Sequence, residues 1–179
     1  MFGFLLTDTS RLFRQYFERM VTENGFGLTP GEIRALGHVI RFRGARQALL
    51  AERMGVEPMT LSAYLDRLET RGLIRRMMDA SDRRAKLIEP TDEAYRVMRE
   101  MEPMFTRILD HFTQGMSEDE LIAITKGLER MRANLTSDPQ IIAPVNIYNP
   151  DLTLPASDEN PCRPRAPRKS EARSSEPSP

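Results

Sequence analysis

The stretch that most constrains this chain runs from Gln47 to Glu69, QALLAERMGVEPMTLSAYLDRLE, where two short apolar-periodic runs flank a glycine. Leu50, Ala51 and Met54 precede Gly55 at helical spacing, and Leu61, Leu65 and Leu68 come after it, with Tyr64 beside them. Two helices that cross steeply over a short turn need a small residue at their contact, which Ala51 supplies. They also favour glycine where the backbone turns left-handed, which suits Gly55. The second helix begins near Pro58, and about 100° per residue turns Thr60, Ala63, Arg67 and Thr70 away from the leucine stripe, with Ser62 on its flank. Hydroxyls in the first turns of such a helix can meet base edges or phosphates, and the free amides there favour anions. Arg67, two turns in, is better placed for a phosphate than for a base. Taken alone, the pattern also fits an ordinary amphipathic helix pair.

The residues beyond this helix pair narrow the reading. Gly72 ends the helix, Leu73 to Met78 can form a strand, Asp79 to Arg84 is turn-rich and charged, and Ala85 to Glu89 can return as a second strand. A helix-turn-helix with a basic-tipped hairpin directly after it is a winged helix. Arginine at a wing tip, here Arg83 and Arg84, suits the narrow minor groove of DNA, where negative potential is concentrated. Charge distribution points the same way. The whole chain carries 26 basic and 26 acidic side chains, yet residues 41–86 hold eleven of the former against six of the latter, a net of +5. A positive segment in a neutral chain is an electrostatic footprint for a phosphate backbone.

The rest of the chain reads as helices around this unit. A first helix is expected from about Phe4 to Thr22, with Leu5, Leu12, Phe13, Tyr16 and Met20 on one face. Thr29, Pro30 and Glu32 form a helix-start signature, and Ser117 to Glu120 repeats it before Leu121, Ile124, Leu128, Met131 and Leu135. Thr91 starts a long helix through Phe112. From Thr136 onward, nine prolines mixed with Ser, Asp and Arg leave little apolar mass to bury. Residues 1–135 are therefore expected to form one domain, with its DNA-binding lobe at about 30–90. Residues 136–179 are expected to form a largely disordered tail, except for an apolar patch from Ile141 to Tyr148 that can dock on the body.

At this point the residues resemble the MarR family of bacterial transcription regulators. The resemblance rests on Leu49 to Val56, on Leu65 to Glu69 with Gly72 to Ile74, and on Asp82 to Leu87 leading into Pro90 to Ala94. It implies a mainly α fold with a small β-hairpin, a winged helix-turn-helix carried by N- and C-terminal dimerisation helices. It further implies a homodimer on a pseudo-palindromic double-stranded DNA operator, acting by default as a repressor. By position, Thr60, Ser62 and Ala63 fall where recognition-helix contacts occur, Asp82 would orient the wing, and Arg84 would enter the minor groove. Many members carry arginine at the position of Ala63, so direct readout here rests on less, or on apolar contact with a thymine methyl. The family also implies a small aromatic effector, for which Phe13, Tyr16, Phe17, Arg41 and Phe42 are the candidate lining residues.

Other classes find little support. His38 and His111 have no neighbouring cysteine, serine or paired carboxylate to complete a catalytic set, and no glycine-rich phosphate loop is present. The single cysteine, Cys162, excludes an intrachain disulfide, and neither a metal site nor a cofactor is expected. No apolar run approaches the roughly 20 residues that span a bilayer, and a cytoplasmic protein is expected. The remaining alternative is a winged-helix architectural or protein-interaction factor without ligand control.

Overall fold

A computed structural model describes residues 1–79, 82 and 85–143. Its element order is α1 (Phe2–Asn24), α2 (Pro30–Arg41), β1 (Ala45–Arg46), α3 (Gln47–Met54), α4 (Pro58–Thr70), β2 (Ile74–Met78), β3 (Lys86–Pro90), α5 (Asp92–Phe112), α6 (Glu118–Leu135) and α7 (Pro139–Ile142). The helix starts arise from local chemistry. Thr29 and Ser117 each accept from the backbone three residues on, while Glu32 and Glu120 reach back to the cap amide, which makes two complete capping boxes. Thr91 caps α5 through Ala94 and also donates to the carbonyl of Gly72 at 2.7 Å, tying the helix to the end of α4.

The core lies where α2, α3 and α4 meet the sheet and the inner face of α5. Leu36, Leu50, Leu61, Leu65, Leu68 and Ile88 are fully enclosed there, with Met98, Met101 and Met104 continuing the core along α5. α1 packs across α5 through Phe13 on Phe112, Tyr16 on His111 and Phe17 on Phe105, with ring centroids 5.0, 4.6 and 6.1 Å apart.

The sheet differs from the expected hairpin by one strand. β2 and β3 pair antiparallel, from Ile74 opposite Pro90 to Met78 opposite Lys86, and β1 adds to the other edge of β3 through Ala45–Ile88 and Arg46–Leu87. A two-residue strand is too short to show alternation, so the sequence pattern does not predict it. The stretch expected to be tail also begins with structure, since Asp138 caps α7 and Ile141 packs against the core. No helix among the described residues is long and apolar enough to cross a membrane.

Candidate nucleic-acid interface

The helix-turn-helix is built as its spacing requires. Gly55 sits at φ 62°, and the amide of Val56 returns to the carbonyl of Ala51 at 3.1 Å, closing α3 with a left-handed turn. Ala51 is buried at the helix contact. α4 then buries Leu61, Leu65 and Leu68 and lies so close to the start of α2 that a Cβ on Gly31 would come within 2.4 Å of the Tyr64 ring. Only glycine at position 31 lets the tyrosine close that gap.

Charges seat the same helix. The buried carboxylate of Glu32 accepts from the Thr29 amide at 2.8 Å and from Arg67 at 3.1 Å, so one side chain caps α2 and holds α4. Burial pushes this carboxyl up, but the Thr29 and Arg67 bonds together outweigh it and leave it below the ordinary range. Arg71 bonds the carbonyl of Gly27. Arg76 of β2 is gripped by Glu69 and by Asp66, the latter at 2.6 Å, fixing the hairpin against α4. Arg46 of β1 reaches Asp79 at the end of β2 at 2.5 Å and stands 3.8 Å from Asp82, bracing the base of the wing.

These pairings divide the eleven cations of residues 41–86. Arg43, Arg46, Arg53, Arg67 and Arg76 meet carboxylates, while Arg41 and Arg71 meet backbone carbonyls. Arg75 and Lys86 stand exposed on the two hairpin strands. Arg83 and Arg84, singled out for the wing tip, lie outside the described residues. Arg67 remains mostly exposed but is engaged by Glu32, so it serves the fold before any phosphate.

The other expected contact residues do share a surface. Thr60 and Ala63 are exposed on the outer face of α4, Ser62 is half-buried beside them, and Met59 is 85% exposed at the first turn. Sequence reasoning passes over Met59 because it belongs to neither the apolar stripe nor the polar set. A groove of about 650 Å³ runs between α3, α4 and the hairpin, lined by Arg46, Gln47, Ala48, Pro58, Ser62, Asp66, Arg76, Ala85 and Lys86. The five candidate ligand residues fall into two groups. Phe13 meets α5 edge-on and Tyr16 and Phe17 stack on it, whereas Arg41 and Phe42 lie at the end of α2, with Arg41 bonded to α7.

A three-helix lobe whose second and third helices form a tight helix-turn-helix, with an antiparallel hairpin braced against it, defines a winged-helix DNA-binding protein. Comparison with known proteins narrows this further. The chain belongs to the MarR family of transcriptional regulators. The family model matches residues 26–85. A solved transcriptional regulator, PA3341, is 35% identical with a TM-score of 0.61, the match covering 75% of this chain and 98% of that one. A MarR-family regulator from Silicibacter pomeroyi is 26% identical with a TM-score of 0.62, covering 76% of this chain and 91% of that one. BpsR of Bordetella bronchiseptica shares the fold at 23% identity and a TM-score of 0.58, over 72% of this chain and 96% of that one.

Proposed function

We propose that this chain is a homodimeric repressor that reads a pseudo-palindromic DNA site with α4 in the major groove and the wing in the minor groove. The observation that carries the reading is the division of charge. The cations around α4 are tied into the fold, while its outer face offers Met59, Thr60, Ser62 and Ala63 without a net charge. Affinity then falls to the wing, where Arg75 and Lys86 are exposed and Arg83 and Arg84 lie between them in sequence. Dimerisation is supported by the apolar surface that one chain leaves open. Phe2, Phe4, Leu5, Leu6 and Leu12 on α1 are exposed, as are Ile122, Ile124, Leu128, Met131 and Leu135 on α6, more than a lone soluble chain ordinarily presents.

A cytoplasmic location and modulation by a small aromatic effector belong to the same proposal. The effector is supported by BpsR, whose DNA binding is regulated by 6-hydroxynicotinic acid, and by the aromatic set Phe13, Tyr16 and Phe17 between α1 and α5. Footprinting on DNA upstream of the chain's own coding region tests the core of the reading. Two protected half-sites about 10 bp apart are expected, whereas even protection over any duplex would indicate an architectural factor instead. Arg84→Ala is expected to weaken binding by about 1–3 kcal/mol with an unchanged melting temperature. Unchanged affinity would remove Arg84 from the interface.

A further inference from the structure

Three arginines from three helices converge on the short segment after α6. Arg53 of α3 donates to the Asp138 carboxylate at 2.6 Å and to the Gln140 side chain at 3.0 Å. Arg41 at the end of α2 donates to the carbonyl of Ile141 at 2.7 Å, and Arg132 of α6 donates to that of Ile142 at 2.9 Å. The Arg53 side chain is only 8% exposed, and its guanidinium lies 4.0 Å above the Phe42 ring, with that of Arg41 at 5.0 Å.

The segment is a poor match for what holds it. Arg53 alone of the three guanidiniums meets a carboxylate, and the Nε of each is buried without a partner among the described residues. The site is only partly shielded from water, yet a buried donor left without an acceptor and like charges held side by side are both unfavourable there. Burial and the facing charges of Arg132 and Arg53 together push the Arg41 guanidinium below its ordinary range. An anion bearing several acceptor oxygens would satisfy this cluster better than two carbonyls, an amide and a single carboxylate.

We propose that Arg41, Arg53 and Arg132 form a binding site for a multivalent oxyanion, carboxylate or phosphate in chemistry, whose resting occupant is residues 138–142 of the same chain. Docked, the segment ties α6 to α2 and α3. Displaced by an anion, it frees α6 from the helix-turn-helix. An effect on DNA affinity would rest on the function proposed above, but the site itself does not, so its test uses no DNA.

Hydrogen exchange of the full chain, monitored at Ile141, Ile142 and Ala143, reads the docking directly, because their amides bond within the segment to Asp138 and Pro139. Citrate and inorganic phosphate are the probes, with sodium chloride at matched ionic strength as reference. Faster exchange in either probe, but not in chloride, is the expected result, and the probe that acts at lower concentration identifies the preferred chemistry. General salting effects of these anions strengthen packing and would slow exchange, so the sign separates binding from solvent action. Asp138→Asn weakens the internal occupant and should lower the anion concentration needed by about tenfold, while Arg53→Gln removes a contact of segment and anion alike and should speed exchange in buffer yet leave no further response to either probe. In the unsubstituted chain, equal response to chloride and citrate, no response to either probe, or free exchange at 141–143 in buffer alone would overturn the proposal.

Discussion

α5 and α6 are helices of similar length and similar composition, each opened by a hydroxyl cap, yet they meet opposite fates. α5 buries Ala94, Met98, Met101, Met104 and Ile108, whereas α6 buries no residue at all. Apolar positions recur at helical spacing in both. The difference lies in what is available to cover them: α5 has α1 and the sheet on its inner side, while α6 leans mainly on the four-residue α7. An amphipathic face therefore states that something must cover it, without stating what. On α6 the stripe of Ile124, Leu128, Met131 and Leu135 remains exposed, Leu135 to 87%, which is the surface expected of a helix that completes its packing with a second chain.

The strongest way to break this comparison is to charge the open face. Ile124→Asp combined with Leu128→Asp places two carboxylates where the partner would pack, and a buried unpaired charge costs about 3–5 kcal/mol. If the chain dimerises as proposed, the expected outcome is a monomer in sedimentation at concentrations where the unsubstituted chain sediments as a dimer, with helicity per chain largely kept. If the double variant sediments like the parent, α6 is not the dimer contact and its exposed stripe needs another explanation.

The matching change on α5 should act differently. Met101 is fully buried, and Met101→Ala is expected to lower unfolding free energy by about 2–5 kcal/mol through lost burial and the cavity left behind. Denaturant melts over a range of protein concentrations separate the two cases. For the proposed dimer, the α6 variant should unfold at a midpoint that no longer varies with concentration, whereas the α5 variant should keep the concentration dependence expected of the parent, at a lower midpoint. Equal behaviour of the two would erase the contrast between the helices.

The contrast also marks how far the sequence can be read. Helix faces, capping boxes, the Ala51–Gly55 turn and the hairpin are legible because each depends on residues within a few positions of one another. The two-residue β1 carries no periodicity, and its role appears only once Ala45 and Arg46 lie beside Ile88 and Leu87. The candidate site is legible as an exposed face but not as a charge pattern. Eleven basic residues can be counted, but their internal partners cannot, since Arg67 meets Glu32 across 35 positions, Arg46 meets Asp79 across 33, and Arg41 meets Ile141 across 100. In the tail, the apolar patch that begins at Ile141 is legible as able to dock, but Asp138 and Gln140 are not, because their partner Arg53 lies 85 and 87 positions away.

At the helix starts the expected effects are smaller and again unequal. Thr91 caps α5 and also donates its hydroxyl to the carbonyl of Gly72, while its amide bonds that of Leu73, so Thr91→Ala removes a cap and the side-chain tie to the neighbouring turn. A loss of about 1–2 kcal/mol is expected. Ser117 serves only its own helix, and Ser117→Ala should cost about 0.5–1 kcal/mol. Thermal melts of the two variants side by side would show the order, and a larger loss at Ser117 would mean that α6 contributes more to the fold than its exposure implies.

The smallest effect concerns protons. The α6 start pairs Ser117 with Glu120, whose carboxylate accepts from the Ser117 amide and hydroxyl, each at 2.8 Å. The backbone bond first, and the hydroxyl second, hold the Glu120 carboxyl below its ordinary value. At the same position of its own first turn α5 has Ala94, so its cap lacks this carboxylate. A carboxyl depressed in the folded state binds protons more readily when unfolded. Its contribution is therefore full above the unfolded value and disappears as pH falls through the folded one. Exchange of the Ser117 amide should accordingly speed up, relative to the intrinsic rate, as solutions are acidified through that window, while the Ala94 amide shows no such step. Glu120→Gln keeps an acceptor for the same amide but does not titrate, and it should flatten the Ser117 profile without abolishing protection. A step that survives in Glu120→Gln would assign the proton to another group and leave the two helix starts alike in their response to acid.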